Sequence, residues 1–152
     1  MLDTIDRHDF STVIRVDQSP QVAFAAIVDP RAWWGRAIEG TTDVVGEEWT
    51  YRFKDIHYSK QRTVELVPGR RVVWHVIEGE LNFIADKTEW VGTDIIFDIA
   101  ETDGKTEIRF THRGLKPDAE CYEACSSGWT GLVTGSLRQL IETRQGNLEY
   151  FG

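Results

Sequence analysis

The side chains able to do chemistry are few. His112, Cys121 and Cys125 fall close together near the C-terminal end. A metal can take three such nitrogen and sulfur ligands, but a closed site needs a fourth. No fourth follows, and neither a Cys-x-x-Cys nor a His-x-x-x-His spacing is present. Cys125 with His112 as its base would make an activated nucleophile, yet nothing in the pattern supplies a third, orienting group. Buried thiols beside a satisfied histidine are the simpler expectation. His57, His75 and Glu89 are acids or bases if they point inward. A catalytic base also needs burial and a partner to tune its pKa, and surface positions at strand edges are the plainer reading. His75 lies between Trp74 and Val76 on a strand apolar on both faces, so its direction is open. No metal and no cofactor is expected.

Aromatic residues are more prominent. The six tryptophans are Trp33, Trp34, Trp49, Trp74, Trp90 and Trp129. Indoles need large pockets and a partner for their N–H. Trp34, Trp49, Tyr51, Phe53, Trp74, Phe97, Phe110 and Trp129 could line a cavity for a flat or aliphatic molecule. Cys125 and Val133 would extend that wall, and His112, Tyr51 and Tyr122 would orient what it holds. The same residues could equally close into a dry, packed core.

These side chains must be positioned by a helix and a sheet. From Lys116 to Thr143, Cys121, Cys125, Trp129, Val133, Ser136 and Leu140 recur at helical spacing, widened by Tyr122, Leu132 and Leu137. That is a helix with one buried face. Pro117-Asp118 reads as its opening, with Glu120 favourable to the helix dipole, and Gly146 as its stop. Such a helix, ~37 Å long at ~1.5 Å per residue, needs a broad, curved sheet to lie on. Gly128, Gly131 and Gly135 each cost up to ~1 kcal/mol relative to alanine, so they suit a close approach or a bend. They do not suggest phosphate binding, because no glycine-rich turn follows a strand.

The rest of the chain reads as that sheet. Residues 1–8 form an acidic lead-in, and 10–16 a first strand. Ser19-Pro20 caps a short helix, and Asp29-Pro30 starts a second one through Trp33-Trp34 to Gly35. Trp49, Tyr51 and Phe53 alternate along a strand. In 58–67, Val64 and Leu66 alternate with Thr63 and Glu65, with the inward sense undetermined there and in 71–77. Val67-Pro68-Gly69-Arg70 has type II turn chemistry. Residues 78–91 read as a loop or ragged edge. Ile95, Phe97 and Ile99 face one way, Asp103-Gly104 marks a hairpin, and Ile108, Phe110 and His112 share a face. The fold class is therefore α+β: one strand, two short helices, five or six further antiparallel strands, and a long helix, in a single domain spanning 1–152.

Totals exclude several functions. Seventeen basic and 25 acidic residues give a charge of −8, which opposes binding to nucleic acid or anionic membranes. Asp94, Asp98, Glu101, Asp103 and Glu107 read as a solvated outer face. No apolar run approaches the ~18 residues of a membrane span. Asp3, Asp6 and Asp9 spoil a signal peptide, so a cytoplasmic location is expected. Two cysteines four apart on a helix lie too far apart for an unstrained disulfide, and reduced thiols are expected.

Three stretches carry a family resemblance: Val22 to Gly35 (VAFAAIVDPRAWWG), Glu65 to Val76 (ELVPGRRVVWHV) and Ser127 to Ile141 (SGWTGLVTGSLRQLI). With the order of elements they resemble the START-like, birch-pollen-allergen-like (SRPBCC) superfamily. Within it they look most like bacterial homologues of the activator of the ninety-kilodalton heat-shock protein ATPase. The resemblance implies a helix-grip fold, six to seven strands wrapped around a long C-terminal helix. It implies binding of an apolar or aromatic small molecule between sheet and helix. Its alternatives are a cyclase- or hydrolase-type enzyme using an inward histidine or acid, and a co-chaperone-like interaction module. Phe83 and Trp90, on the irregular segment, are the expected contacts of a homodimer.

Overall fold

The computed structural model describes residues 8–148; the acidic lead-in expected over 1–8 lies almost wholly outside them. Seven strands form one antiparallel sheet: β1 (Phe10–Val16), β2 (Ile38–Gly40), β3 (Glu48–Phe53), β4 (His57–Val67), β5 (Arg71–Leu81), β6 (Asp94–Thr102) and β7 (Lys105–Arg113). Their order is β1-β7-β6-β5-β4-β3-β2, a meander from β2 to β7 closed at one edge by the first strand. Two register shifts between β4 and β5, at Lys60/Gln61 and Thr63/Glu65, are bulges. Bulges bend a strand and increase its twist, so the sheet curls toward the helical side.

The turns follow the sequence chemistry. Gly69 has φ +72° and Arg70 N–H donates to Val67 O at 2.8 Å, closing the Pro68-Gly69 turn. Asp103 and Gly104 both take positive φ, 54° and 78°, as a tight two-residue hairpin requires. In α1 (Pro20–Ile27) the Ser19 side chain accepts the Val22 N–H, with Pro20 in the first turn. The second helix is shorter than expected. Only Pro30–Ala32 is helical, one 3-10 turn without a side-chain cap. Trp33, Trp34 and Gly35 N–H groups then converge on Pro30 O.

The C-terminal helix covers the concave face. It comprises α2 (Tyr122–Gly131), a wider π-type stretch at Leu132–Leu137, and α3 (Arg138–Thr143), without interruption. Two expected boundaries shift. Pro117-Asp118 lies before the helix in turned chain, and Glu120 serves another segment. Arg144, at φ +69°, ends the helix in place of Gly146. Gly146 is instead a point of close approach, since a Cβ there would sit 2.2 Å from Ala32 O. Cys121, Cys125, Trp129, Val133 and Ser136 are buried as the spacing predicts, joined by Leu132, Leu137 and Ile141. Ser136 Oγ donates to Trp33 O (2.7 Å) and accepts from Asn147 N–H (2.9 Å), tying helix, turn and tail together.

The inward sense of β4, open from the sequence, is set by its polar residues. Ser59, Gln61 and Thr63 point inward and are fully buried, while Val64 is 41% exposed. Val64 falls in the second bulge, where one residue is skipped in the pairing. Residues 78–81 belong to β5, which leaves 82–93 as the true loop. Trp90 on that loop is buried, not exposed as the dimer expectation required; Phe83 is 43% exposed.

Candidate functional site

Between helix and sheet lies a cavity of about 220 Å³. The helix gives it Ala124, Cys125, Gly128, Trp129 and Leu132. Strand β3 gives Tyr51 and Phe53, the turn after it Ile56, and the first residue of β4 His57. The 82–93 loop adds Phe83 and Trp90, and Trp34 closes the wall beyond the 3-10 turn. Ile56 and Phe83 are 42% and 43% exposed and form the rim. The floor is indole and phenol. Trp34 stacks on Tyr51 at 4.5 Å, and Trp90 lies parallel to Trp129 at 5.8 Å. Gly128 has no side chain, so the helix there leaves space open.

Of the residues expected to form the site, Trp34, Tyr51, Phe53, Cys125 and Trp129 line the cavity. Trp49, Trp74, Phe97, Phe110 and Val133 stand behind it in the packed core, each no more than 1% exposed. Trp49 meets Trp74 edge-on at 4.8 Å, and Phe97 meets Phe110 at 5.2 Å. Tyr122 is half-buried against Phe10, ring to ring at 6.4 Å. His57 lines the wall against the plainer reading of a surface position, and Trp90 and Leu132 line it without being expected to. His57 shares a face of β4 with Ser59, Gln61 and Thr63, and the polar character of those three gave no sign that this face points inward.

His112 is wholly buried and saturated. The Trp129 indole can only donate, so its N–H, 3.0 Å from Nδ1, makes that nitrogen an acceptor. The proton therefore sits on Nε2, which donates to Thr93 Oγ1 at 2.8 Å; that hydroxyl donates to Trp90 O at 2.6 Å. Burial pushes the imidazole down to about 3, against a smaller opposing pull from Asp94 and Asp9. It is a neutral strut joining β7, the helix and the loop, with no lone pair left for chemistry.

His57 differs. It faces the cavity, edge-on to Trp90 at 4.6 Å and to Tyr51 at 5.1 Å. Its Nε2 is buried without a partner among the described residues. Desolvation lowers it to about 4, so it too is neutral at pH 7. Burial pushes the Tyr51 hydroxyl up to about 12, with the Trp34 indole pulling modestly the other way. The imidazole and the phenol on the wall are thus uncharged.

His75 lies on the opposite, outer face. Its Nδ1 is 2.7 Å from Asp94 Oδ1, and Arg113 pairs with the other carboxylate oxygen. Glu89 is no acid of the site either. Its carboxylate accepts the N–H groups of Glu120 (2.7 Å) and Cys121 (3.0 Å), capping the chain just before α2. Glu120 reciprocates, accepting the N–H groups of Ala85 (2.8 Å) and Asp86 (3.0 Å), which hold its carboxyl below the usual range. Two carboxylates thus fasten the 82–93 loop, with Phe83 and Trp90, to the start of the helix.

Cys121 and Cys125 are free and buried. Contact with Cys125, then burial, pushes the Cys121 thiol far up, the opposite of an activated nucleophile. Among the described residues no group of three or more His, Cys, Asp or Glu could hold a metal ion, and no helix is long and apolar enough to cross a membrane.

Solved structures share this architecture. The Aha1 dimer from Colwellia psychrerythraea aligns over 91% of this chain and 98% of its own, at 24% identity and a TM-score of 0.72. Protein MLL2253 from Mesorhizobium loti aligns over 88% and 97%, at 14% identity and TM-score 0.67. CalU16 from Micromonospora echinospora aligns over 88% and 74%, at 12% identity and TM-score 0.61. At these identities the likeness speaks for the fold alone. No curated protein matches the chain in sequence. The model of the activator of Hsp90 ATPase homolog 1-like proteins matches residues 17–142, and with the helix-grip sheet, the gripping helix and that match together, the chain belongs to this family, within the START-like superfamily.

Proposed function

We propose that the chain is a cytoplasmic binding protein for an apolar or aromatic small molecule, held in the cavity between sheet and helix. The observation that carries this reading is the wall itself: indoles, a phenol ring, phenylalanines and aliphatic carbon around about 220 Å³, with no charged group facing in. Burying ligand surface contributes about 25 cal/mol per Å² before association costs. For ~250 Å² that is ~6 kcal/mol, enough for weak to moderate affinity once those costs are subtracted. Reduced, buried Cys121 and Cys125 suit a reducing compartment. The enzyme alternative loses support because both His112 nitrogens are engaged, His75 lies on the far face, and the one histidine on the wall, His57, has no hydrogen-bond partner among the described residues at its buried Nε2 to orient it.

The indole N–H resonances provide a built-in test. Titration with α-methylstyrene should shift the signals of Trp34, Trp90 and Trp129 in the wall and leave Trp33 and Trp74, in the packed layer, nearly still. No shift at millimolar probe, or equal shifts at all six, would remove the reading.

A homodimer is a second, compatible reading. The Colwellia protein is a dimer, and here Ile56 and Phe83 present an apolar rim. Sedimentation should give twice the chain mass, reduced by Phe83→Ser; a monomer at high concentration would exclude it.

A further inference from the structure

Three successive inward positions of β4 carry polar atoms that no described residue satisfies. His57 Nε2, Ser59 Oγ and both amide atoms of Gln61 are buried without a hydrogen-bond partner among the described residues. Ser59 and Gln61 are 0% exposed. The next inward position is ordinary: Thr63 Oγ1 accepts from Trp49 Nε1–H at 3.2 Å and donates to Thr42 O at 3.1 Å. The unsatisfied strip therefore runs from Thr63 toward the cavity and ends in its wall, at His57. A buried group left without a partner costs ~1–3 kcal/mol. Leucine or valine at 59 and 61 would carry no such cost, so the strand keeps these groups against its own stability.

Register shows what lies over the strip. Ser59 is opposite Tyr51 on β3 and Gly79 on β5; Gln61 is opposite Trp49 and Val76. The Trp34 indole stacks on Tyr51 and meets Trp49 at 5.8 Å, so it spans the two side chains that flank Ser59 and Gln61. Trp34 is itself cavity wall. The strip thus reaches the cavity at His57, and Trp34 packs on the side chains paired with its other two members. On the other flank Gly79 adds no bulk of its own; a Cβ there would make ordinary contact with Tyr58 O at 3.7 Å and with Trp90 and Val91 at 3.8 Å.

Resting on the binding reading above, we propose that this strip recognises the polar head of the cavity's ligand, and that the head is a neutral carboxamide-type group. The body would occupy the apolar cavity while the head slips past Trp34. The Gln61 carbonyl oxygen would accept an N–H of the head and the Gln61 NH₂ would donate to its carbonyl, a two-point pairing that an amide or lactam matches. Ser59 and His57 offer further contacts. The strip holds no formal charge, and an unpaired buried ion is far more costly than a neutral group, so carboxylates and ammonium heads are disfavoured.

Benzamide and its apolar isostere α-methylstyrene separate the possibilities. Both are titrated by NMR into wild type, Gln61→Leu and Ser59→Ala. The benzamide-to-α-methylstyrene affinity ratio should fall at least tenfold in Gln61→Leu and severalfold in Ser59→Ala. α-Methylstyrene affinity should stay within twofold, and the ligand-free melting temperature of Gln61→Leu should rise. Ser59→Ala carries the test if Gln61→Leu does not fold. An unchanged ratio in the folded variants, as buried water satisfying the strip would give, overturns the inference while leaving the binding reading intact. Failure of α-methylstyrene to bind wild type removes both.

Discussion

Lowering the pH should unfold this protein through its two buried imidazoles. Free histidine titrates near ~6.5, whereas burial holds His57 at about 4 and His112 at about 3. Both folded values are depressed, so the unfolded chain takes the proton first. Stability is undiminished by these groups above pH ~6.5 and falls as pH drops toward the folded values. At pH ~4.5 each histidine is two pH units below its free value, a loss of ~3 kcal/mol. Two such losses rival a typical total stability of ~5–15 kcal/mol. Asp94 and Asp9 pull the His112 proton on, and His57 opposes it, so the two losses are coupled. Urea denaturation at four pH values from 7.5 to 4.5 measures the slope. His112→Gln, whose amide can accept from Trp129 and donate to Thr93, should flatten that slope by ~1.4 kcal/mol per pH unit between pH 6 and 4.5. Equal slopes in wild type and variant would mean that His112 protonates freely in the folded chain, and the neutral strut would be wrong.

Other consequences can be checked separately. Gly128→Leu should fill the cavity and weaken α-methylstyrene binding at least tenfold, without lowering the melting temperature, because leucine is better by up to ~1 kcal/mol in a helix interior. Glu89→Ala strips the cap from the Glu120 and Cys121 N–H groups; urea melts should show ~1 kcal/mol lost, and hydrogen exchange should quicken at Ala85, Asp86, Glu120 and Cys121. Native Cys121 should react with a disulfide reagent at pH 8 far more slowly than the urea-unfolded chain, since its thiol is pushed up by Cys125 and by burial.

Much of the scaffold was legible because it obeys local rules. The spacing of Cys121, Cys125, Trp129 and Val133 marks one helix face, Ser19-Pro20 marks a helix start, and Asp103-Gly104 marks a hairpin. The site was half legible. Aromatic type alone cannot separate the wall from the layer behind it: Tyr51 borders the cavity while Trp49, two residues earlier on the same face, is packed against Trp74. The inward sense of β4 was hidden because hydrophobic alternation assumes that apolar means inside, and here Val64 is out while Gln61 is in. The helix start was misplaced because its cap, Glu89, comes from a loop distant in sequence. Only tertiary contacts reveal such a partner.

A crystal of the protein under xenon pressure would reveal the apolar space between helix and sheet. Xenon enters dry apolar cavities and avoids hydrated ones. A single strong xenon peak is expected, bounded by Phe53, Trp90, Trp129 and Leu132. A space collapsed onto Trp129, or filled by a hydrogen-bonded chain of ordered water with no xenon, would contradict it.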